Sequence, residues 1–204
     1  MYSKEIKKNV LSGFIWNYVA KMSSQIVSLV VSIILARLLS PDDYGAVAIV
    51  VVVVSMAGIL VGEGMFSGLI QRKDVKDDDF STMFVFGLVF SIVLYTVIFF
   101  IAPFIAKWYE VKDLCSALRV MGIQVVFLGV YNVVYAYISR DLDFKKFFMS
   151  TVVGTVVSAV LGITMAYSGF GIWALIAQYL SNTVINTVLL VGIAKLRLRF
   201  RFAF

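Results

Sequence analysis

The 204-residue sequence contains no histidine, one cysteine and two prolines. Without histidine, the commonest metal ligand, and with Cys115 alone, the chain has neither an internal disulfide nor a ligand set for a structural metal or redox centre. Charged residues make up only 15% of the chain, and no Pro/Ser-rich linker around Pro41 or Pro103 sets off a soluble domain. We therefore expect no metal and no cofactor.

Apolar residues dominate what remains. Hydrophobic residues make up 61% of the chain and the mean hydropathy is +0.97, more than a soluble domain or a single anchor requires. Stretches of about 20 apolar residues, the length of a bilayer-crossing helix, lie near 10–36, 44–69, 81–103, 114–138, 148–167 and 172–194. The pattern predicts an all-α integral membrane protein in which residues 1–204 form a single lobe of six transmembrane helices.

Basic residues are distributed unevenly between the predicted loops. Thirteen of the 18 lie on the side of the membrane that carries both termini. Three lie in loops on the other side, namely Arg37, Lys107 and Lys112. Because positively charged loops stay in the cytoplasm, both termini are predicted to be cytoplasmic. The net charge of +6 is accounted for by this asymmetry and by anionic lipid headgroups, so no nucleic acid is expected as a partner. The loops predicted to face outward are 37–43, 104–113 and 168–171.

Several apolar runs carry polar side chains at helical spacing. Lys21 lies about ten residues into the first run and roughly 15 Å deep, where a cation costs about 2.5–3.5 kcal/mol. The polar residues sharing its arc of about 100° are Asn17, Ser24, Gln25, Ser28 and Ser32. The fourth run carries Gln124, Tyr131, Asn132 and Tyr135, and the sixth carries Gln178, Asn182 and Asn186. We expect Lys21 to face a hydrated cavity, and the predicted substrate-binding residues are Lys21, Asn17, Gln25, Gln124, Gln178 and Asn182.

Two interpretations of the amides and hydroxyls stay open, because such groups also bond neighbouring helices at about 0.6 kcal/mol per contact. Lys21 is less well explained by an ion pair, since the intramembrane acid Glu63 lies near the cytoplasmic end of the second helix. For Glu63, titration during transport, snorkelling to the interface and pairing with a nearby basic residue are all open. Glu63, Arg37 and Arg119 are candidates for coupling or gating, although an outer-leaflet anchor is the favoured role for Arg119.

Two local patterns predict contacts. Gly154, Ser158 and Gly162 form a small-xxx-small ridge that is typical of a helix-packing seam, and Ser40 or Asp42 can cap the second helix. By contrast, the sequence offers no nucleophile and base pair, phosphate-binding glycine loop or paired catalytic carboxylates. We therefore predict that the chain is not an enzyme.

Four segments near helix ends carry a resemblance to a known family. They are LARLLSPDDYG at 35–45, LIQRK at 69–73, SRDLDFKK at 139–146 and GFGIWAL at 169–175. Together they resemble the polysaccharide transporter family, the flippases of lipid-linked oligosaccharides for O-antigen and exopolysaccharides. The resemblance implies two six-helix lobes around a central cavity, as in multidrug and toxin extruders, with this chain as the N-terminal lobe.

The resemblance also implies a function: alternating access would move an undecaprenyl-pyrophosphate-linked repeat unit from the cytoplasmic to the periplasmic leaflet of the bacterial inner membrane. Lys21 would then hold the pyrophosphate. The implied partners are the lipid-linked oligosaccharide, membrane lipids, and a C-terminal lobe or a second copy of the chain. The six helices alone are expected to insert and self-associate without transporting.

Two alternatives remain. A cation-coupled drug or small-solute exporter of the same superfamily would need an acid deep in a helix, and Glu63 is shallow. A non-transporting membrane assembly subunit would use the polar faces as a dimer seam.

Overall fold

A computed structural model of the chain describes residues 2–62, 77–111, 113–140 and 144–194. The described residues form six α-helices and no strand. The helices are α1 (Tyr2–Leu38), α2 (Pro41–Gly62), α3 (Asp77–Tyr109), α4 (Leu114–Arg140), α5 (Phe144–Tyr167) and α6 (Ile172–Ala194). Each contains a stretch long and apolar enough to cross a membrane. The predicted all-α class with six transmembrane helices is confirmed, and the chain is a multi-pass membrane protein. A second lobe stays a prediction.

Helix α4 lies at the centre of the bundle. It packs against α2, α3 and α6, while α6 also packs along α5, and α5 in turn carries α1. The helices α1, α5, α6, α4 and α2 therefore follow one another in an arc. Helices α1 and α2 are consecutive in sequence, but they leave their shared turn to lie against different neighbours, so α6 faces the space between them.

A capping box fixes the turn between α1 and α2. The Ser40 hydroxyl donates to Asp43 Oδ2 at 2.7 Å, and the Asp43 backbone N–H donates to Ser40 Oγ at 3.2 Å. Of the two residues predicted as the cap, Ser40 is the one that caps the helix. Asp43 completes the box because an acid at the third helical position can reach back to the cap residue. Pro41 takes the first helical position, where no N–H is required.

Small residues bring α5 and α6 together. A Cβ at Gly154 would lie 2.8 Å from the Asn186 amide carbon, and one at Gly162 would lie 2.9 Å from the Gln178 Cβ. Only glycine fits this backbone approach without moving the facing side chains. The small-xxx-small ridge is confirmed as a packing seam.

Helix α3 continues through Pro103 to Tyr109, beyond the end predicted at residue 103. Proline has no N–H, so the carbonyl of Phe99, four residues earlier, loses its helical donor. Arg119 of α4 supplies another: its Nε donates to Phe99 O at 3.4 Å, and its guanidinium lies 4.1 Å from the centre of the Phe99 ring. The contact accounts for a helix that passes its proline. It joins Arg119 to a neighbouring helix, and the outer-leaflet anchoring role favoured from the sequence stays a prediction.

Candidate functional site

The polar face of α1 borders a groove of about 480 Å³, which we call the α1–α6 groove. Gln25, Ser28 and Ser32 line it from α1, and Gln178 and Tyr179 line it from α6. Apolar side chains interleave with these polar ones, namely Met22, Ile26, Leu29, Leu35 and Leu175. The groove therefore offers hydrogen-bonding groups and an apolar surface side by side.

One end of the groove lies near the turn between α1 and α2, where Leu35 and Tyr44 line it. There the Tyr44 hydroxyl donates to the Ser32 carbonyl at 3.3 Å, joining the first turn of α2 to α1. Just beyond, Gly171 lies against Asp43: its φ is +54°, and a Cβ there would lie 3.2 Å from Asp43 Oδ1. Glycine suits both the left-handed conformation and the close approach. Segments 35–45 and 169–175, which are far apart in sequence, thus meet at one end of the groove.

Lys21 continues the same face of α1 towards the other end of the helix. It lies one turn before Gln25 and two turns before Ser28, and its side chain is exposed. The structure therefore brings Lys21 and Gln25 onto one face, with Gln178 across the groove. This arrangement places a cation in line with a row of neutral polar groups.

A second groove, of about 600 Å³, lies between α2 and α4; we call it the α2–α4 groove. Gln124 and Asn132 line it from α4, and Gln124 Oε1 is buried with no hydrogen-bond partner among the described residues. Asn132 lies against Gly62, where a Cβ would be 3.2 Å from its Nδ2. Tyr179 lines this groove as well as the α1–α6 groove. The two grooves are thus neighbours on either side of one α6 side chain.

Asn182 bonds helices together instead of facing the grooves. Its Nδ2 donates to Ser158 Oγ at 3.1 Å and to Thr155 Oγ1 at 3.4 Å, and its Oδ1 accepts from Asn186 at 3.1 Å. Of the polar stripe on α6, Gln178 lines the groove, whereas Asn182 takes the helix-bonding role left open from the sequence and Asn186 donates to Asn182 within α6.

The remaining predicted residues lie elsewhere. Arg37 is exposed in the last turn of α1, and Arg119 is bound to α3. The side chain of Asn17 and all of Glu63 lie outside the described part of the chain. The structure therefore groups Gln25 and Gln178 on one groove, with Lys21 one turn further along the same face of α1, and Gln124 on the neighbouring groove.

Sequence reasoning missed Tyr44 and Tyr179 as groove residues. Tyr44 lies in the first turn of a helix, and the α1 carbonyl to which its hydroxyl donates is identified only by the fold. Tyr179 did have a signal, because it follows Gln178 directly and precedes Asn182 by three residues, which places it on the edge of the polar stripe.

The comparison with protein families is decisive for classification. The polysaccharide biosynthesis protein family matches residues 34–204, most of the chain. The chain belongs to this family. The resemblance predicted from the four segments is confirmed. The α2–α4 groove and the α6 side of the α1–α6 groove lie within the matched residues.

Three bacterial relatives align over most of the chain. The succinoglycan biosynthesis transport protein ExoT of Rhizobium meliloti is 26% identical over 196 residues, covering 96% of this chain and 40% of the relative. The lipopolysaccharide biosynthesis protein WzxC of Escherichia coli is 24% identical over 189 residues, covering 90% of this chain and 37% of the relative. The teichuronic acid biosynthesis protein TuaB of Bacillus subtilis is 22% identical over 140 residues, covering 69% of this chain and 29% of the relative.

The chain thus spans 40% or less of the length of these family members. No solved structure matches it with significance.

Proposed function

We propose that this family member takes part in moving an undecaprenyl-pyrophosphate-linked oligosaccharide across the bacterial inner membrane by alternating access. One observation carries the proposal: a membrane-spanning bundle keeps amides and hydroxyls along one groove, with the exposed Lys21 one turn before Gln25 on the same face of α1. Amides and hydroxyls suit sugar hydroxyls, a cation suits pyrophosphate, and the apolar residues between them suit a polyprenyl chain. Two relatives, one named for transport in succinoglycan biosynthesis and the other for lipopolysaccharide biosynthesis, support the same substrate class.

The proposed activity is transport rather than catalysis. Moving a lipid-linked glycan between leaflets breaks no covalent bond, so it requires binding groups that are exposed in turn to each side and no cofactor. Because the relatives are more than twice as long as this chain, we propose that further helices, from the same protein or from a second copy, complete the path.

The proposed direction depends on orientation, which we infer from the basic loops to place both termini in the cytoplasm. In a Cys115→Ala background, single cysteines at Glu110 and Phe170 are expected to react with an impermeant maleimide on intact cells. Cysteines at Val75 and Asp143 are expected to react only after the membrane is permeabilised. A reversed pattern at two or more of these sites would contradict the orientation.

Depleting the protein in the producing strain tests the proposed function. We expect less surface polysaccharide and more lipid-linked oligosaccharide, because the repeat unit is made but not moved. Mass spectrometry of extracted lipids measures the second quantity, and re-expression of the wild-type gene is the control. Unchanged lipid-linked oligosaccharide with altered drug resistance would favour the small-solute exporter instead. If lipid-linked oligosaccharide and drug resistance both stay normal, the result would favour an assembly subunit.

A further inference from the structure

A third, smaller space of about 240 Å³ lies between α1, α5 and α6; we call it the hydroxyl pocket. Eight of its ten lining residues are polar and none of these ten is charged. It shares Ser28, Gln178 and Tyr179 with the α1–α6 groove, so the two spaces adjoin. A lining this polar is unusual between helices that otherwise pack through apolar and small residues.

Part of the lining is already fixed by hydrogen bonds. The Thr155 hydroxyl donates to the backbone carbonyl of Thr151 at 2.8 Å, and the Ser158 hydroxyl donates to the backbone carbonyl of Thr155 at 3.0 Å. Their lone pairs accept from the Asn182 amide. These groups hold α5 and α6 together and have no free proton to offer a ligand.

Two other hydroxyls in the pocket differ. Ser24 Oγ on α1 and Thr151 Oγ1 on α5 are buried, and neither has a hydrogen-bond partner among the described residues. Serine and threonine in helices commonly donate to a carbonyl three or four residues earlier, as Thr155 and Ser158 do here. Since a buried polar group without a partner costs about 1–3 kcal/mol, two such hydroxyls in one pocket indicate that a ligand or water satisfies them.

The chemistry of these groups limits the ligand. The pocket has no carboxylate, which argues against a divalent cation. A bare cation would use the hydroxyl lone pairs and leave both O–H donors without acceptors, and an apolar ligand would satisfy neither. A ligand with its own hydroxyls can both donate and accept. The volume, equal to that of about eight liquid waters, accommodates one sugar ring.

We propose that the hydroxyl pocket binds one monosaccharide unit of the substrate through Ser24 and Thr151. This inference rests on the proposed function and identifies which part of the substrate occupies the pocket. Ser24 lies three residues, about 4.5 Å of helix rise, from Lys21. A pyrophosphate held by Lys21 would therefore place the sugar attached directly to it in this pocket.

Cysteine protection tests the proposal on the purified chain in lipid nanodiscs. In a Cys115→Ala background, Thr151→Cys and Ser24→Cys are labelled with a small hydrophilic methanethiosulfonate, with glucose, galactose or N-acetylglucosamine as the probe. The matched control is Thr164→Cys, on the same helix, whose hydroxyl is exposed and bonds the carbonyls of Val160 and Leu161. Two cysteine positions on different helices guard against one variant failing to fold.

We expect at least one of the sugars to slow labelling of both pocket cysteines and to leave the control unchanged. At twice its dissociation constant the sugar lowers the rate about threefold, because the unoccupied fraction falls to one third. Replacing choline by sodium in the buffer is expected to leave the labelling rate of the pocket cysteines unchanged.

Protection by sodium and not by sugars would overturn the proposal in favour of a cation site. Labelling of Thr164→Cys without labelling of either pocket cysteine would overturn it in favour of a closed packing seam, and labelling that no sugar slows would also overturn it. The labelling assay does not measure export. A negative result would therefore not contradict the accumulation of lipid-linked oligosaccharide that is expected in depleted cells. Conversely, sugar protection without that accumulation would overturn only the transport proposal.

Discussion

Replacing Lys21 by alanine is expected to lower polysaccharide export about 10- to 100-fold, because a hydrogen bond to a charged group contributes about 1.5–3 kcal/mol and 1.4 kcal/mol is a factor of ten. The side chain is exposed on the groove face of α1, so its removal leaves the packed core intact. The amount of protein in the membrane is therefore expected to stay the same. Export is measured as surface polysaccharide per unit of membrane-inserted protein, with the variant in the chromosomal gene.

Two further variants separate charge from position. Lys21→Arg is expected to retain part of the activity, since it keeps the cation but changes the geometry of its donors. Lys107→Ala removes an exposed lysine from the last turn of α3 and is expected to export normally. Full export by Lys21→Ala would contradict the role of Lys21 as the pyrophosphate ligand.

The second large effect is expected on stability, at the proline of α3. Arg119→Met keeps most of the side-chain stem but removes the donor to the Phe99 carbonyl and the cation over its ring. Those interactions together are worth about 2–4 kcal/mol, which is the expected loss in the free energy of unfolding. Denaturant unfolding in mixed micelles measures it.

A double-mutant cycle tests the cause. Pro103→Ala restores an N–H that can donate to the Phe99 carbonyl, so Arg119→Met is expected to cost at least about 1.5 kcal/mol less in that background. Arg37→Met, which removes an exposed arginine at the end of α1, should change stability by no more than about 0.5 kcal/mol. Additive effects of Pro103→Ala and Arg119→Met would mean that Arg119 does not compensate the proline.

The helices and their local contacts could be predicted because they depend on short-range sequence. Apolar length alone predicted six helices, and the spacing of Gly154, Ser158 and Gly162 predicted the seam that the structure confirms. The cap was predicted only in part, since the sequence offered Ser40 or Asp42 and the structure uses Ser40 together with Asp43. Helical spacing also grouped Gln25, Ser28 and Ser32 on the α1 face that lines the groove.

The pairing of helices could not be predicted, because a polar stripe does not specify its neighbour. Gln178 and Asn182 are one turn apart on α6, but Gln178 lines a groove, whereas Asn182 meets the hydroxyls of α5. The difference lies in the facing residues of α5, because the hydroxyls of Thr155 and Ser158 meet Asn182, whereas Gly162, which has no side chain, lies against Gln178. Likewise, the compensation of Pro103 by Arg119 joins two helices, and neither residue's local sequence indicates the other.

The most direct measurement is photocrosslinking in the producing strain at two positions of α1. A photoreactive amino acid at Gln25 lies in the α1–α6 groove, whereas one at Val30 lies on an exposed apolar part of the same helix, with 49% of the valine accessible. If the groove carries the substrate, mass spectrometry will find an adduct containing a lipid-linked sugar at Gln25 and only phospholipid adducts at Val30. Phospholipid adducts alone at both positions would contradict the account.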